Sequence, residues 1–279
     1  MKYVSFALSG QASWGYLEGE NVVAVGLGDG APVTLRDAIA SGMDLSASSR
    51  QAPRLRLSEV ELLPVIPNPG KIICVGLNYE DHRKESGRAQ VGHPTLFARF
   101  ANSQVGHNHP LVRPKESTEF DYEGELALVV SRRGRFIPSD EAFEYVAGYA
   151  CYNDASIRDW QRHTSQFLPG KNFIATGAFG PSLVTPDDVG PLDDLRIRTR
   201  LNGEMVQEST LGHMIFDIPT IISYCSTFTE LEPGDVIVTG TPGGVGMKRT
   251  PPLWMKDGDV VEVEIDRVGL LRNSVIDAR

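Results

Sequence analysis

The sequence is poor in cysteine and in positive charge. Its 279 residues include three cysteines, Cys74, Cys151 and Cys225, which are far apart, odd in number and never in a CxxC spacing. This pattern supports neither a zinc knuckle nor a disulfide framework, and it favours a reducing compartment. The formal net charge of −9 argues against a broad surface for nucleic-acid phosphates or for anionic lipids.

Long apolar segments are also missing. No window approaches about 18 uncharged apolar residues, so we expect no membrane-spanning helix. The apolar run over residues 3–8 is too short for the core of a signal peptide, and no small-residue cleavage site follows it. We therefore expect a cytoplasmic protein without membrane or nucleic-acid partners. The GxSxG, HExxH and Walker motifs are absent as well, which excludes the enzyme classes that depend on them.

Most of the periodic segments that are present indicate β-strands. Residues 126–130 form a continuous apolar run, which is typical of a strand buried on both faces. Residues 195–201 alternate apolar and polar side chains before Asn202-Gly203, a strong hairpin signal. The apolar spacing over residues 217–228 predicts a helix. Strands outnumber helices without alternating regularly with them, so we predict an α+β fold dominated by β-sheet.

A proline-rich segment divides the chain. Residues 63–70 contain three prolines and one glycine, which excludes a helix or a central strand there. We predict a small β-rich N-terminal module over residues 1–68 and a larger domain over residues 69–279. Residues 46–54 are mostly polar and are predicted to form a loop.

Two acidic residues stand at the start of the most apolar strand. Glu123 and Glu125 lie two apart in FDYEGELALVV, so a strand would place both carboxylates on one face. Neighbouring carboxylates resist ionisation unless a cation compensates, and a hard divalent ion with oxygen ligands would do so. Asp154, in YNDASIRDWQ, is a candidate third ligand. The alternatives are a solvated strand end for the pair and a helix N-cap for Asp154.

A histidine and a glutamate form a second candidate group. His82 and Glu85 in GLNYEDHRKE are three apart, hence neighbours on one helical face. A carboxylate that orients an imidazole is typical of a general base, although a surface ion pair has the same spacing. Lys171 in GKNF is either a group that steadies an oxyanion or a solvated charge. The glycine-rich loop over residues 239–246 either offers N–H groups to a substrate carboxylate or is a tight turn.

The order of these blocks resembles the fumarylacetoacetate hydrolase family. GLNYEDHRKE, FDYEGELALVV, YNDASIRDWQ, GKNF and DVIVTGTPGGVG follow one another from about residue 71 to the C-terminus. The first seventy residues look like the variable N-terminal module of bacterial members. The resemblance implies a mixed β-sandwich roll and a homodimer.

The resemblance also implies a set of site residues. Mg²⁺ or Mn²⁺ would be held by Glu123, Glu125 and Asp154. Some family hydrolases add a fourth acidic ligand near the GLNYEDHRKE block; the nearby residue in this chain is Asn78, so we expect three carboxylates. The other implied residues are the dyad His82 and Glu85 on a lid over residues 79–92, Lys171 and Gln161 beside the reacting group, and Gly240 and Thr241 in the substrate-carboxylate loop.

The implied reaction starts from a 2-oxo acid chelated to the metal. For an acylpyruvate, the dyad would deprotonate water, hydroxide would attack the distal carbonyl, and the carbon–carbon bond would break, as in aromatic-compound breakdown. An oxaloacetate decarboxylase or a 2-oxo-acid hydratase or isomerase is the alternative on the same scaffold. A non-catalytic 2-oxo-acid-binding protein is a third possibility. The presence of both His82 and Glu85 argues against it, because binding alone needs no such base. Phe97 and Arg99 are candidate pocket residues, and Arg99 would suit a second substrate carboxylate unless it is simply exposed.

Overall fold

The structure, a computed structural model, describes residues 1–43, 52–89 and 91–279. The strands in these ranges are β1 (Lys2–Leu8), β2 (Gln11–Glu18), β3 (Asn21–Val23), β4 (Arg54–Arg56), β5 (Glu61–Leu62), β6 (Ile72–Gly76), β7 (Thr95–Arg99), β8 (Gln104–Val105), β9 (Leu111–Arg113), β10 (Phe120–Asp121), β11 (Gly124–Val130), β12 (Val146–Asn153), β13 (Ser156–Ile157), β14 (Gly177–Val184), β15 (Arg196–Leu201), β16 (Glu204–Thr210), β17 (Val236–Val238), β18 (Val260–Ile265) and β19 (Gly269–Asp277). The α-helices are α1 (Leu35–Ala40), α2 (Glu80–Glu85), α3 (Arg158–Gln161), α4 (Leu168–Lys171), α5 (Pro186–Val189) and α6 (Ile218–Phe228). Short 3₁₀ helices span Val25–Leu27, Leu57–Glu59, Ala101–Ser103, Ser139–Tyr145, Leu211–His213 and Gly246–Lys248.

Two sheets make up most of the molecule, so the predicted β-dominated fold is confirmed. The larger has twelve strands, with the order β4-β3-β2-β1-β14-β12-β11-β17-β6-β7; β5 pairs with β1 and β8 with β14. The smaller has five strands in the order β16-β15-β18-β19-β9, and β10 pairs with β13. All of β11 is buried, as its unbroken apolar run predicts. Leu126 and Leu128 share a core cluster with Ile197 and Val263 of the smaller sheet.

Local sequence signals locate the hairpin and the long helix correctly. Asn202 and Gly203 connect β15 to β16, and both adopt positive φ angles, 54° and 82°. Such angles suit asparagine and glycine, because neither carries a bulky or branched side chain near the backbone. Asp217 caps α6, since its carboxylate accepts a hydrogen bond from the Thr220 N–H at 2.9 Å.

The N-terminal strands continue the large sheet. β1 pairs with β14, with Lys2 opposite Val184 and Tyr3 opposite Leu183. The boundary between residues 1–68 and 69–279 stays a prediction. Residues 46–51 of the predicted loop lie outside the described residues, and Arg54 already begins β4. Within the described ranges, every helix is too short or too polar to span a bilayer.

Candidate active site

Four adjacent strands of the large sheet bring the predicted site residues together at one end of the strands. In the order β12-β11-β17-β6, β11 is antiparallel to both neighbours and β6 is parallel to β17. Gly124 pairs with Asn153 in antiparallel register, which places Glu123, the residue before Gly124, beside Asp154, the residue after Asn153. The Asp154 N–H donates to the Glu123 carbonyl at 2.8 Å. Register alone therefore joins two acids that are 31 positions apart.

The three predicted metal ligands meet at this end of the strands. One carboxylate oxygen from each of Glu123, Glu125 and Asp154 lies within 4.8 Å of the other two, and all three side chains are buried. Glu123 precedes β11 rather than lying in it, and its N–H donates to Asn153 Oδ1 at 3.0 Å. Neither alternative from the sequence holds, because the pair is not solvated and Ile157, not Asp154, caps α3.

The three carboxylates differ in how their charge is balanced. Glu123 contacts Arg158 at 2.7 Å and Lys171 at 2.5 Å. Burial raises the pKa of Glu123, but the charges of Arg158 and Lys171 outweigh burial and hold that pKa well below its usual value. Glu125 forms no ion pair among the described residues, and it accepts a hydrogen bond from the Gly240 N–H at 2.5 Å. Burial, and then the charges of Asp154 and Glu123, raise the pKa of Glu125 strongly.

This donor set fits a hard divalent cation. Three carboxylate oxygens suit Mg²⁺ or Mn²⁺, and such a cation would balance the buried charge that the protein leaves uncompensated at Glu125. Asn78 is not one of the ligand candidates: its Oδ1 accepts a hydrogen bond from the Phe216 N–H at 2.8 Å, and its NH₂ group donates to the carbonyl groups of Thr239 and Phe216 at 2.7 and 3.0 Å. Within the described residues the candidate metal group therefore has three members, the number expected from the sequence.

Lys171 lies against two of these ligands. Its Nζ is 2.5 Å from Glu123 Oε2 and 2.5 Å from Asp154 Oδ2, and 4.9 Å from the Phe97 ring centroid. Burial lowers the pKa of Lys171, but Asp154 and Glu123 outweigh that effect and raise it above its ordinary value. Lys171 is thus a buried cation, not a solvated surface charge.

The predicted dyad is formed on α2. His82 Nδ1 lies 2.7 Å from Glu85 Oε1, and Glu85 Oε2 accepts a hydrogen bond from the Gly244 N–H at 2.9 Å. Burial raises the pKa of Glu85, but the hydrogen bonds from His82 and Gly244 outweigh burial, so the pKa lies below its ordinary value. Gly244 has a φ of 99°, and a Cβ there would lie 2.4 Å from the Val206 carbonyl oxygen. The glycine-rich loop therefore comes close enough to fix the glutamate that orients the imidazole.

A cavity of about 660 Å³ opens onto this group. The predicted site residues that line it are His82, Phe97, Glu123, Glu125, Asp154, Gln161, Lys171 and Thr241. Glu85 is not one of the lining residues and reaches the cavity only through its contact with His82. The Thr241 hydroxyl donates to the Gly124 carbonyl at 2.9 Å and accepts from Gln207 Nε2 at 2.8 Å. Its rotamer is therefore fixed by the protein.

Two predicted substrate contacts are corrected. Arg99 is fully buried outside the cavity lining, where it donates to Asp154 Oδ1 at 2.6 Å and to Thr176 Oγ1 at 3.0 Å. The Gly240 N–H is already bonded to Glu125. Both residues thus position metal-ligand candidates, and neither has a free donor for a substrate carboxylate. The sequence could not show this, because the partners are set by strand register and by burial.

Arg158 is a cavity residue that was not predicted. It is buried and contacts Asp121 at 2.8 Å and Glu123 at 2.7 Å, while its NH1 donates to Gln161 Oε1 at 2.9 Å. Its position three residues before Gln161 on α3 is the signal that could have identified it, since i and i+3 share a helical face. Arg158 therefore links a metal-ligand candidate to the predicted glutamine.

Asp121 joins this side of the site to the glycine-rich loop. Its buried carboxylate accepts hydrogen bonds from the N–H groups of Gly246 and Met247 at 2.7 and 3.0 Å, as well as from Arg158. A Cβ on Gly246 would lie 2.0 Å from the Leu253 carbonyl oxygen. One aspartate thus holds the arginine and the loop in a fixed relation.

The family is decided by comparison with known proteins. The model of the fumarylacetoacetate (FAA) hydrolase C-terminal domain matches residues 71–276, well over half of the chain. The chain belongs to the fumarylacetoacetate hydrolase family. The resemblance drawn from the five sequence blocks is therefore confirmed, and the three carboxylates and the dyad lie within the matched part.

Relatives within the fumarylacetoacetate hydrolase family carry more than one kind of name. Oxaloacetate tautomerase fahd2, mitochondrial, from Xenopus laevis is 44% identical over 224 residues, which are 80% of this chain and 70% of that protein. A fumarylacetoacetate hydrolase from the psychrophile Exiguobacterium antarcticum has a TM-score of 0.89 and 37% identity, with 100% of both chains covered. A maleylpyruvate hydrolase from Sphingobium sp. SYK-6, solved with manganese(II) and pyruvate, has a TM-score of 0.82 and 26% identity, again with 100% of both chains covered. The family thus comprises enzymes, and both hydrolases and tautomerases are found in it.

Proposed function

We propose that the protein is a divalent-metal-dependent enzyme that interconverts the keto and enol forms of oxaloacetate. The observation that carries the proposal is that an imidazole oriented by a carboxylate lines the same cavity as three converging metal-ligand candidates. The 44% identity to an oxaloacetate tautomerase supports this substrate. An acylpyruvate hydrolase, which the sequence favours, becomes the second candidate.

Glu123, Glu125 and Asp154 would hold Mg²⁺ or Mn²⁺. Such an ion supplies Lewis-acid chemistry, which favours loss of a proton from the carbon next to a ketone. The relative solved with manganese(II) and pyruvate supports both the ion class and a 2-oxo acid as its partner. Lys171, a buried cation beside Glu123 and Asp154, adds positive charge on the same side of the cavity.

His82 moves the proton in this proposal. Its Nδ1 is engaged by Glu85, which leaves Nε2 to take the proton from C3 of oxaloacetate. The C3–H electron pair becomes the C2–C3 double bond, and the C2 oxygen receives the proton back from the imidazolium. No atom is gained or lost. Glu85 stays ionised because its pKa is lowered, so it stabilises the imidazolium that forms in between.

The test follows the decay of enol-oxaloacetate absorbance in the presence of Mg²⁺ or Mn²⁺. General-base catalysis contributes about 10²–10⁴-fold, so His82→Asn should lower kcat by about that factor. His213→Asn is the matched control, because His213 is exposed and lies outside the cavity lining. An unchanged kcat in His82→Asn, or full activity of the wild type in chelator, contradicts the proposal.

Hydrolysis of an acylpyruvate is the second candidate because Gln161 and Lys171 share the cavity with the dyad. There the dyad would activate water, and the two side chains would stabilise the oxyanion. Acetylpyruvate and fumarylpyruvate test this reaction through loss of diketone absorbance, and pyruvate release from oxaloacetate tests decarboxylation. The tautomerase proposal expects the largest kcat/KM for enol-oxaloacetate. A homodimer, the choice between Mg²⁺ and Mn²⁺ and a cytoplasmic location stay predictions.

A further inference from the structure

The cavity has an excess of positive side chains, although the chain as a whole is acidic. Its only acidic lining residues in the described part of the chain are the three metal-ligand candidates. The basic lining residues, apart from His82, are Arg83, Arg88, Arg158, Arg162, Lys171 and Lys248. An excess of this kind in a protein of net charge −9 concentrates anions at the site.

Four of these six cations are occupied by protein carboxylates. Lys171 and Arg158 pair with the metal-ligand candidates as described above. Arg83 pairs with Glu80 at 2.7 Å, and Arg162 pairs with Glu119 at 2.5 Å. Arg88 and Lys248 remain. Both are exposed, and neither has a carboxylate partner among the residues that the structure describes.

Hydrogen bonds anchor to the site the two segments that carry these cations. Arg88 follows the helix that carries His82: its N–H donates to the Arg83 carbonyl at 3.2 Å, and Arg83 NH1 donates to the Arg88 carbonyl at 2.6 Å. Lys248 ends the 3₁₀ helix whose first two N–H groups are held by Asp121. The same aspartate holds Arg158. The two charges therefore lie on segments anchored to the site, although their side chains reach solvent.

We propose that Arg88 and Lys248 form a subsite for the distal carboxylate of a dicarboxylic 2-oxo acid. The inference rests on the proposed function, because it assumes that the 2-oxo acid end of the substrate lies at the three carboxylates. It assigns to the cavity the task that the sequence suggested for Arg99, whose donors are used inside the protein. Unpaired guanidinium and ammonium groups are the natural partners of a carboxylate.

The experiment compares ligands that differ only in distal charge. Calorimetry in the presence of Mg²⁺ measures the Kd of 2-oxoglutarate, which has a distal carboxylate, and of 2-oxopentanoate, which has a methyl group there. The proteins are the wild type, Arg88→Gln, Lys248→Gln, the double variant and Lys115→Gln. Lys115 is an exposed lysine without an ion pair among the described residues and lies outside the cavity lining, so it serves as the control. In parallel, KM is measured for oxaloacetate and for its 4-methyl ester.

Loss of one hydrogen bond to a charged group corresponds to about tenfold in affinity. We therefore expect each single substitution to weaken 2-oxoglutarate binding and to raise the KM for oxaloacetate by about that factor, with a larger effect in the double variant. Binding of 2-oxopentanoate and the KM of the methyl ester should change by less than about twofold. Equal effects on both members of a ligand pair, or no effect on either, overturn the subsite.

The two proposals fail in distinguishable ways. If the wild type does not turn over oxaloacetate but prefers 2-oxoglutarate, and the double variant loses that preference, the subsite stands and the tautomerase function falls. If the wild type turns over oxaloacetate normally and shows no preference between 2-oxoglutarate and 2-oxopentanoate, the subsite falls alone.

Discussion

Replacing Glu125 by glutamine tests two expected effects of its buried carboxylate, which forms no ion pair. The carboxylate should destabilise the metal-free protein, and it should be needed to bind the metal. Glutamine keeps an oxygen for the Gly240 N–H but removes the charge. In the metal-free protein, burial and then the charges of Asp154 and Glu123 raise the pKa of Glu125. Glu125→Gln should therefore raise the Tm of the metal-free protein at pH 8, where keeping the carboxylate buried is costly.

The pH dependence has a definite sign. The native metal-free protein holds the Glu125 proton more tightly than the unfolded chain, whose glutamates have a pKa of about 4.3. As pH rises from that value towards the raised pKa, the free energy of unfolding should fall by up to about 1.4 kcal/mol per pH unit on account of this residue. Glu125→Gln should remove that slope. Glu204→Gln, at an exposed residue of β16 outside the candidate site, should leave it unchanged.

With added metal, the wild type should have a higher Tm than Glu125→Gln, the opposite of the metal-free order. An ion at 100 times its Kd stabilises the native state by about 2.7 kcal/mol, and 1 kcal/mol shifts Tm by about 2–4 °C in chains approaching this size. Wild type should therefore gain about 5–11 °C with Mg²⁺ or Mn²⁺, and the gain should grow with pH because binding releases the Glu125 proton. Scanning calorimetry from pH 5 to about 9 measures all of these quantities. The reasoning would be refuted if metal raised the Tm of Glu125→Gln as much as that of the wild type. It would also be refuted if metal-free Glu125→Gln had a lower Tm than the metal-free wild type at pH 8.

Two further substitutions test the surroundings of the carboxylates. Lys171→Met removes one of the two cations beside each of two buried carboxylates, because Arg158 still contacts Glu123 and Arg99 still contacts Asp154. In chelator it should lower the free energy of unfolding by about 3 kcal/mol, the lower end of the range for a broken buried pair, and by less with metal present. An equal loss in the two denaturation series would contradict this account. Gly240→Ala forces a side chain onto a φ of 102°, with its Cβ 2.6 Å from Asn78 Cβ. It should cost about 1–3 kcal/mol and weaken metal binding through the displaced N–H to Glu125, and unchanged calorimetric Kd and Tm values would argue against it.

The features that could be predicted from the sequence depend on neighbours along the chain. The Asn202-Gly203 hairpin needs only two residues that tolerate positive φ, and the His82–Glu85 pair needs only one helical turn. For Asp154 the residues alone leave open a third metal ligand and a helix N-cap, because no local spacing connects it to Glu123, and the resemblance to the family favours the ligand. The structure supplies the physical reason for that connection, since antiparallel register places the two acids side by side.

The features that could not be predicted depend on which groups burial brings together. The sequence suggests Arg99 as a pocket residue, yet its guanidinium is buried against Asp154. Arg158 lies in the same sequence block as Asp154 and Gln161, and its importance follows only from its contacts with Asp121 and Glu123. Likewise, no local signal shows that β1 pairs with β14, which makes the N-terminal strands part of the large sheet.

The central claim is that Glu123, Glu125 and Asp154 hold one divalent ion in the cavity that His82 lines. Anomalous diffraction from crystals grown with Mn²⁺ and oxalate tests it most directly. The account predicts a single strong manganese peak bonded to one oxygen of each of the three carboxylates, with oxalate on its open side towards His82. A map without a peak there, or with manganese bound elsewhere while the three carboxylates keep only protein partners, would contradict it.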